Sequence, residues 1–452
     1  MDDKKMKVCL MNDSFPPLID GVANCVINYA SVISQQLGSA TVVTPANPDS
    51  EGDDYPFPVV RYTSMPITEK LCGYRTGYPF SSSKLKLLGD SNFDIIHSHC
   101  PFASTVMARV LREKTGAPLI LTYHTKFDID IRRALPTKII SDAAIKLVAA
   151  NISACDEVWT VSNGAGENLR SLGYEGDYIV MENGVDFPCG RADREDVEEL
   201  RAAYGFTDDV PVFLFVGRLL WYKGLKQVFD ALRILSDKGV KYHMLVVGDG
   251  MDRQEMEDYV DEIGIRDSVV FAGAVCDRED LRVYYTAGDL FLFPSLYDTN
   301  GIVVREAAAC GVGSLLIEGS CAAEGITHGR TGILTKDDPA AIAVELEFAA
   351  SHLDEIHDIG QHAMEEVYIS WETSVKRAFE RYMIVKENVM RGNSRRHEGV
   401  FSEDFFFMMN GMTDAVQKLR RVPVNIRRGG RRFGRRLKKI GNEIKSSIND
   451  DI

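Results

Sequence analysis

Residues 212–239, VFLFVGRLLWYKGLKQVFDALRILSDKG, decide the fold. The opening VFLFV is a short, continuous apolar run rich in β-branched and aromatic residues, the pattern of a strand buried on both faces. A glycine turn follows, and the segment from Gly224 to Gly239 then reads as a helix. Strand, turn and helix in succession make the unit of a parallel sheet covered by helices. The same unit recurs downstream, with strand-like runs at HMLVVGDG (243–250), SVVFAGAV (268–275), DLFLFPS (289–295) and GSLLIEG (313–319).

Upstream lies a second series. KVCLMN (7–12), ATVVTP (40–45), FDIIHSH (93–99), PLILTYHT (118–125), EVWTVS (157–162) and YIVMENGVD (178–186) read as strands, with an amphipathic helix at 21–37. Between the series, NGVDFPCGRADRED (183–196) is turn-rich and serves as the expected linker. The expected fold class is α/β, two doubly wound Rossmann-like domains facing a central cleft, where such sheets bind ligands. The expected division is 1–186, 187–370, a closing helix at 371–390 and a basic tail at 391–452.

A length of 452 residues fits two to three domains. No stretch approaches the roughly 18 apolar residues that span a membrane. The start, MDDKKMKVCLMNDSF, turns from charged to strand-like too soon for a secretory signal. Nine cysteines without paired spacing fit reduced thiols in a cytoplasmic protein, and no CxxC or Cys/His spacing argues for a metal. The net charge of −14 hides twelve basic residues against one acid between Lys418 and Lys445. The remaining body is strongly acidic and repels nucleic acid and anionic membrane alike, except through that tail.

Several stretches carry chemistry. VGRLLWYKG (216–224) puts Arg218 and Lys223 beside a glycine turn and a helix N-terminus, which suits a diphosphate; the alternative is two surface cations. DGVANCV (20–26) offers a second glycine turn, where Gly21 lets backbone approach a ligand. In LYDTNGIVVREAAACG (296–311), a helix is expected to start near Gly301, with Asp298 ahead of it and the amides around Asn300 and Gly301 free. Ordinary capping explains Asp298. It does not explain Glu306, a carboxylate among Val303, Val304 and Ala307, because buried carboxylates need partners. His124 ends a strand at the expected ligand edge. Asp128 and Asp130 form a DxD, but Arg218 and Lys223 already offer the counter-charge a metal would supply. In GDGMDRQE (248–255) Arg253 stands where a dinucleotide fingerprint needs its third glycine, so no nicotinamide site is expected.

In this order, FVGRLLWYKG, VVGDG, VVFAGAV, DLFLFPSLYDTNGIVVREAAACG and GRTGIL (329–334) resemble the retaining glycosyltransferases of the GT-B fold, in the large bacterial lipid and polysaccharide group (glycosyltransferase family 4-like). The resemblance spans about residues 6–390 and implies a hexosyltransferase whose N-terminal domain binds the acceptor and whose second domain binds a nucleotide sugar such as UDP-glucose. It implies that Arg218 and Lys223 bind the donor diphosphate, Glu306 the ribose, the loop at Val275 the base, Gly21 the diphosphate, and His124 the transferred sugar. Asp298, Asn300 and Gly301 fall at the sugar. The family usually has Glu where this chain has Asp298. The resemblance further implies metal-independent transfer, with no cofactor besides the donor.

GYRTGYP (73–79) is similar to a segment of enzymes that use membrane glycerolipids or inositol-type acceptors. Apolar residues interspersed with Arg427, Arg428, Arg431, Arg432, Arg435 and Arg436 fit a segment lying on an anionic membrane. The expected partner is therefore a membrane lipid or lipid-linked acceptor, with the protein cytoplasmic and peripheral on the inner face of the cell membrane, and no nucleic acid. A soluble sugar acceptor, a donor-binding protein with decayed catalysis and a basic-tailed nucleic-acid binder are the competing readings.

Overall fold

The structure, a computed structural model, describes residues 5–393 apart from 19, 51, 53, 67–74 and 135–136. The tail arginines Arg427 to Arg436 and the start of GYRTGYP therefore lie outside the described residues. In chain order the first half contributes β1 (Lys7–Met11), β2 (Ser39–Pro45), β3 (Val59–Tyr62), the pair β4 (Ser64–Pro66) and β5 (Arg75–Gly77), β6 (Ile95–Ser98), β7 (Leu119–Tyr123), β8 (Glu157–Thr160) and β9 (Tyr178–Val180). The second half contributes β10 (Val212–Val216), β11 (His243–Val247), β12 (Val269–Gly273), β13 (Leu290–Phe293), β14 (Gly313–Ile317) and β15 (Ile333–Thr335).

Two large sheets result, ordered β3-β2-β1-β6-β7-β8-β9 and β12-β11-β10-β13-β14-β15, and every pairing within them is parallel. β4 and β5 pair antiparallel as a separate two-stranded sheet. The burial of VFLFV on every residue is what a central parallel strand requires. In each sheet the order of connection reverses at one point, beside β1 in the first and beside β10 in the second. Crevices for ligands open at such switch points, at the carboxyl ends of the strands.

The last helix of the described residues, Trp371–Met390, packs on the first domain. Trp371, Val375, Ala378, Tyr382 and Val385 recur at helical spacing and join Val8, Leu10, Tyr29 and Trp159 in the first domain's core. Arg381 grips Glu157 with two hydrogen bonds of 2.9 and 2.6 Å, and Glu157 is 6% exposed. Removing one partner of a buried pair strands the other charge, at a cost of about 3 kcal/mol. Arg381→Ala should accordingly lower the urea midpoint of the full-length protein clearly; an unchanged midpoint would show that Trp159, which donates to the same carboxylate, suffices.

Candidate functional site

The cation stretch sits where the second sheet switches direction. β10 ends at Val216 and sends Arg218 into solvent, where it makes no hydrogen bond or ion pair among the described residues. Its loop is held by the GDG stretch: Gly217 N donates to Val247 O, and Leu219 N to Asp249 O, each at 3.0 Å. A Cβ at Gly248 would lie 1.9 Å from Gly217 O and one at Gly250 2.2 Å from Leu219 O. These glycines serve close packing of the Arg218 loop. Lys223 follows in a 3-10 turn, and Gly224, in left-handed backbone (φ 85°), starts the helix Leu225–Asp237.

Lys223 Nζ donates to Asp298 Oδ1 at 2.5 Å, and the other oxygen of Asp298 accepts from Ser295. Asp298 caps nothing: the helix Ile302–Ala309 has no side-chain cap, and its N-cap, Gly301, is left-handed (φ 57°), where a Cβ would press on Ala322. Asp298 is thus the counter-ion of Lys223. Among the described residues the amides of Thr299, Asn300 and Gly301 have no acceptor, and the buried Asn300 Nδ2 has no partner. A helix N-terminus with free amides beside a lysine favours an anionic ligand.

Glu306, 6% exposed, has the partners its burial demands. Arg278 Nη2 donates to Oε1 at 2.8 Å and the Tyr285 hydroxyl to Oε2 at 2.9 Å. Arg278 also lies over the Phe187 ring at 4.2 Å and 3.8 Å from Asp186. Carboxylate oxygens accept more than one hydrogen bond, so lone pairs remain for a diol. Val275 is half-buried in the loop after β12. Arg278 and Tyr285 were not marked by any motif; the demand of a buried Glu306 for a cation was their only signal.

The first domain's switch point faces this assembly. Gly21 opens the helix Gly21–Val32, capped by Asp20, and a Cβ there would meet nothing within 4 Å. His124 follows β7 and is 8% exposed. Its carbonyl accepts from the Thr299 hydroxyl, joining positions 175 apart across the cleft. Ser162 donates to Thr299 O, and the Glu324 carboxylate accepts from the amides of Asn163 and Gly164 at 2.6 Å. Ser162 and Glu324, like Arg278, carry no sequence signature. No hydrogen bond ties the Gly21 loop to Lys223 among the described residues. Asp128 and Asp130 lie on one helix, Phe127–Ala134, and Asp128 Oδ1 is buried without a partner.

His124 stands at the end of a buried imidazole row. His99 Nδ1 and His124 Nε2 are 3.0 Å apart, while His97 bonds Tyr382 at 2.6 Å and Thr122 at 2.7 Å. His99 Nε2 is buried without a partner, so a proton there would be orphaned. The proton therefore belongs on His99 Nδ1, donating to His124 Nε2, which leaves His124 with Nδ1–H as its donor. Burial lowers all three histidines: His97 and His99 fall well below the usual range, and His124 falls to about 4, with Asp20 opposing the fall. The folded state thus resists protons that the unfolded chain accepts below about pH 6.5. Stability is complete above that pH and is lost toward pH 4, with His124 alone accounting for about 2 kcal/mol at pH 5. Urea unfolding at pH 7.5 and 5.0 checks this, and equal free energies at the two would contradict it.

Glycosyltransferase Family 4 matches residues 19–187 and Glycosyl transferases group 1 matches residues 196–365. An alpha-monoglucosyldiacylglycerol synthase of Streptococcus pneumoniae is 24% identical over 68% of this chain and 70% of its own length. A D-inositol 3-phosphate glycosyltransferase of Thermomonospora curvata is 26% identical over 66% of this chain and 73% of its own. The crystal structure of Anabaena HepE in complex with UDP covers 84% of this chain and 100% of that one, with a TM-score of 0.67 and 20% identity, a likeness of fold. Two Rossmann-like domains whose switch points face one cleft define the GT-B class of sugar transferases. Within it, the chain belongs to the family 4-like glycosyltransferases and is a hexosyltransferase.

Proposed function

We propose that this enzyme moves a hexose from a nucleotide sugar such as UDP-glucose to a membrane glycerolipid or lipid-linked acceptor, with retention of anomeric configuration and without a metal. The observation that carries the reading is one anion site at the second switch point: unpaired Arg218, Lys223 and three free amides at 299–301. Together they stabilise the diphosphate as negative charge grows on it, and such preorganised charge acts where the barrier is highest. Glu306 holds the ribose, the Val275 loop the base, and the Gly21 turn closes on the diphosphate from the first domain. His124 donates its Nδ1–H to a hydroxyl of the transferred sugar. No protein nucleophile is required, because the donor's own phosphate takes the acceptor proton on the face it leaves.

Supporting a lipid acceptor are the similarity to a synthase named for a diacylglycerol glycolipid and the basic run 418–445, which an anionic leaflet attracts. Among the described residues no helix is long and apolar enough to cross a membrane. We place the enzyme at the cytoplasmic leaflet as a peripheral protein. The similarity to an inositol-phosphate enzyme favours a second reading, a soluble acceptor.

The test offers UDP-glucose, UDP-galactose and GDP-mannose with membrane extract, or with soluble sugars and sugar phosphates, and identifies products by mass spectrometry. A glycolipid product is expected; transfer to soluble acceptors alone would sink the lipid reading. A chain ending at residue 410 should leave anionic vesicles and stay in the supernatant, and its retention on them would refute the tail's role.

A further inference from the structure

Two buried side chains unused by the transfer, Cys25 and His99, close on the inner edge of His124. Cys25 Sγ lies 3.9 Å from His99 Nδ1, which is 3.0 Å from His124 Nε2. All three donor atoms fall within 4.8 Å of one another, and the residues are 0%, 2% and 8% exposed. The sequence gives no hint of this group, since the three arrive from the helix Gly21–Val32 and from the ends of β6 and β7.

We propose that Cys25, His99 and His124 form a binding site for a soft divalent cation of the zinc class, and that filling it inhibits the enzyme by fixing the His124 ring to the ion.

One thiolate and two imidazoles are the ligand types such cations select. Tetrahedral zinc, with bonds of about 2.0–2.3 Å, sets its donors roughly 3.3–3.6 Å apart. The observed 3.0 and 3.9 Å bracket that range, so the two His99 distances need shifts of only tenths of an ångström. Three protein ligands leave a fourth position for water.

His99 Nε2 is sealed and unpartnered in the hydrogen-bonded histidine pair, so metal binding, which puts the ring proton there, carries the cost of burying that N–H. The Cys25 proton leaves to solvent, and the His99 proton moves from Nδ1 to Nε2. His124 Nε2, already bare, binds as it stands. The incoming double charge is met by the new thiolate and by Asp20 and Asp186, whose charges reach His124 and Cys25 respectively. His124 can no longer follow the sugar once its ring is fixed to the ion. Of the three ligands only His124 touches the sugar in the transfer; Cys25 does not. The binding half of the proposal is independent of the transfer reading, while the inhibition half rests on it.

The experiment uses the reduced, full-length chain carrying Cys189→Ser and Cys276→Ser, which removes the two thiols exposed among the described residues. Cobalt(II) titration should produce a thiolate-to-metal charge-transfer band and tetrahedral ligand-field bands at one equivalent, displaced by zinc. Adding Cys25→Ala, a small change in a helix, should abolish the band and weaken zinc binding at least a hundredfold in equilibrium dialysis. Absence of the band in the parent, or its persistence in the Cys25→Ala protein, overturns the site. With UDP-glucose and membrane extract in EDTA, parent and Cys25→Ala proteins should turn over equally. A slight excess of zinc should then slow the parent at least tenfold and spare Cys25→Ala; equal inhibition of both overturns the regulatory role. A parent that gives the cobalt spectrum but no turnover in EDTA would instead count against the transfer reading.

Discussion

Lys223→Ala lowers kcat about a hundred- to a thousandfold, the loss found when one preorganised donor to a developing anion is removed, and Arg218→Ala follows it. The two cations differ in their surroundings, and that difference makes the test informative. Arg218 is exposed and unpaired, so its removal disturbs little besides the ligand. Lys223 is only 13% exposed at its side chain and is held by Asp298, so its loss also leaves that acid with Ser295 alone. A cycle separates the effects. If Asp298 acts through Lys223, Lys223→Ala with Asp298→Asn is no slower than Lys223→Ala alone, because residues in one network are not additive. Near-normal turnover in either alanine variant would remove the diphosphate assignment. Full additivity in the cycle would give Asp298 a contact of its own with the sugar.

Glu306→Ala raises the KM for the nucleotide sugar about ten- to a hundredfold, the worth of one charge-assisted hydrogen bond to a diol, and leaves the acceptor KM in place. Glu306 also neutralises Arg278 beneath it, a structural role that a second variant separates from ligand contact. Tyr285→Phe deletes the hydrogen bond to Oε2 without touching the charge. A KM change of less than about threefold there, against a large one in Glu306→Ala, points to ligand contact. Equal changes in both variants would show that the carboxylate only supports the local packing. Steady-state kinetics with donor varied at fixed acceptor decides.

The fold was largely legible because parallel strands buried on both faces are unbroken apolar runs; all eleven runs read from the sequence contain strands. They end earlier than their apolar-plus-turn pattern implies, as at VFLFVGR, where the strand stops at Val216 and the next two residues form the anion-site loop. VVRY and ILT were not read as strands; each lies beside a longer strand and owes its form to pairing with it. The sheet of β4 and β5 is set by pairing across an intervening stretch that periodicity does not read. At the site, residues on one continuous stretch could be named. Their partners could not: Asp298 finds Lys223 75 positions away and Glu306 finds Arg278 28 away, and no spacing rule joins such pairs. The capping account of Asp298 failed for the same reason, since a lysine from another loop outcompeted the helix amides.

The helix Trp371–Met390 has a consequence during synthesis. Its apolar stripe supplies a wall of the first domain's core, yet Trp371 leaves the ribosome long after Val180 has closed the first sheet. At usual elongation rates that interval is about 10–40 s. Throughout it the nascent amino-terminal half shows the oily flank of Val26, Tyr29 and Trp159 uncovered, a target for trigger-type holdases. The middle domain is in effect a guest threaded into its host, and the host matures last.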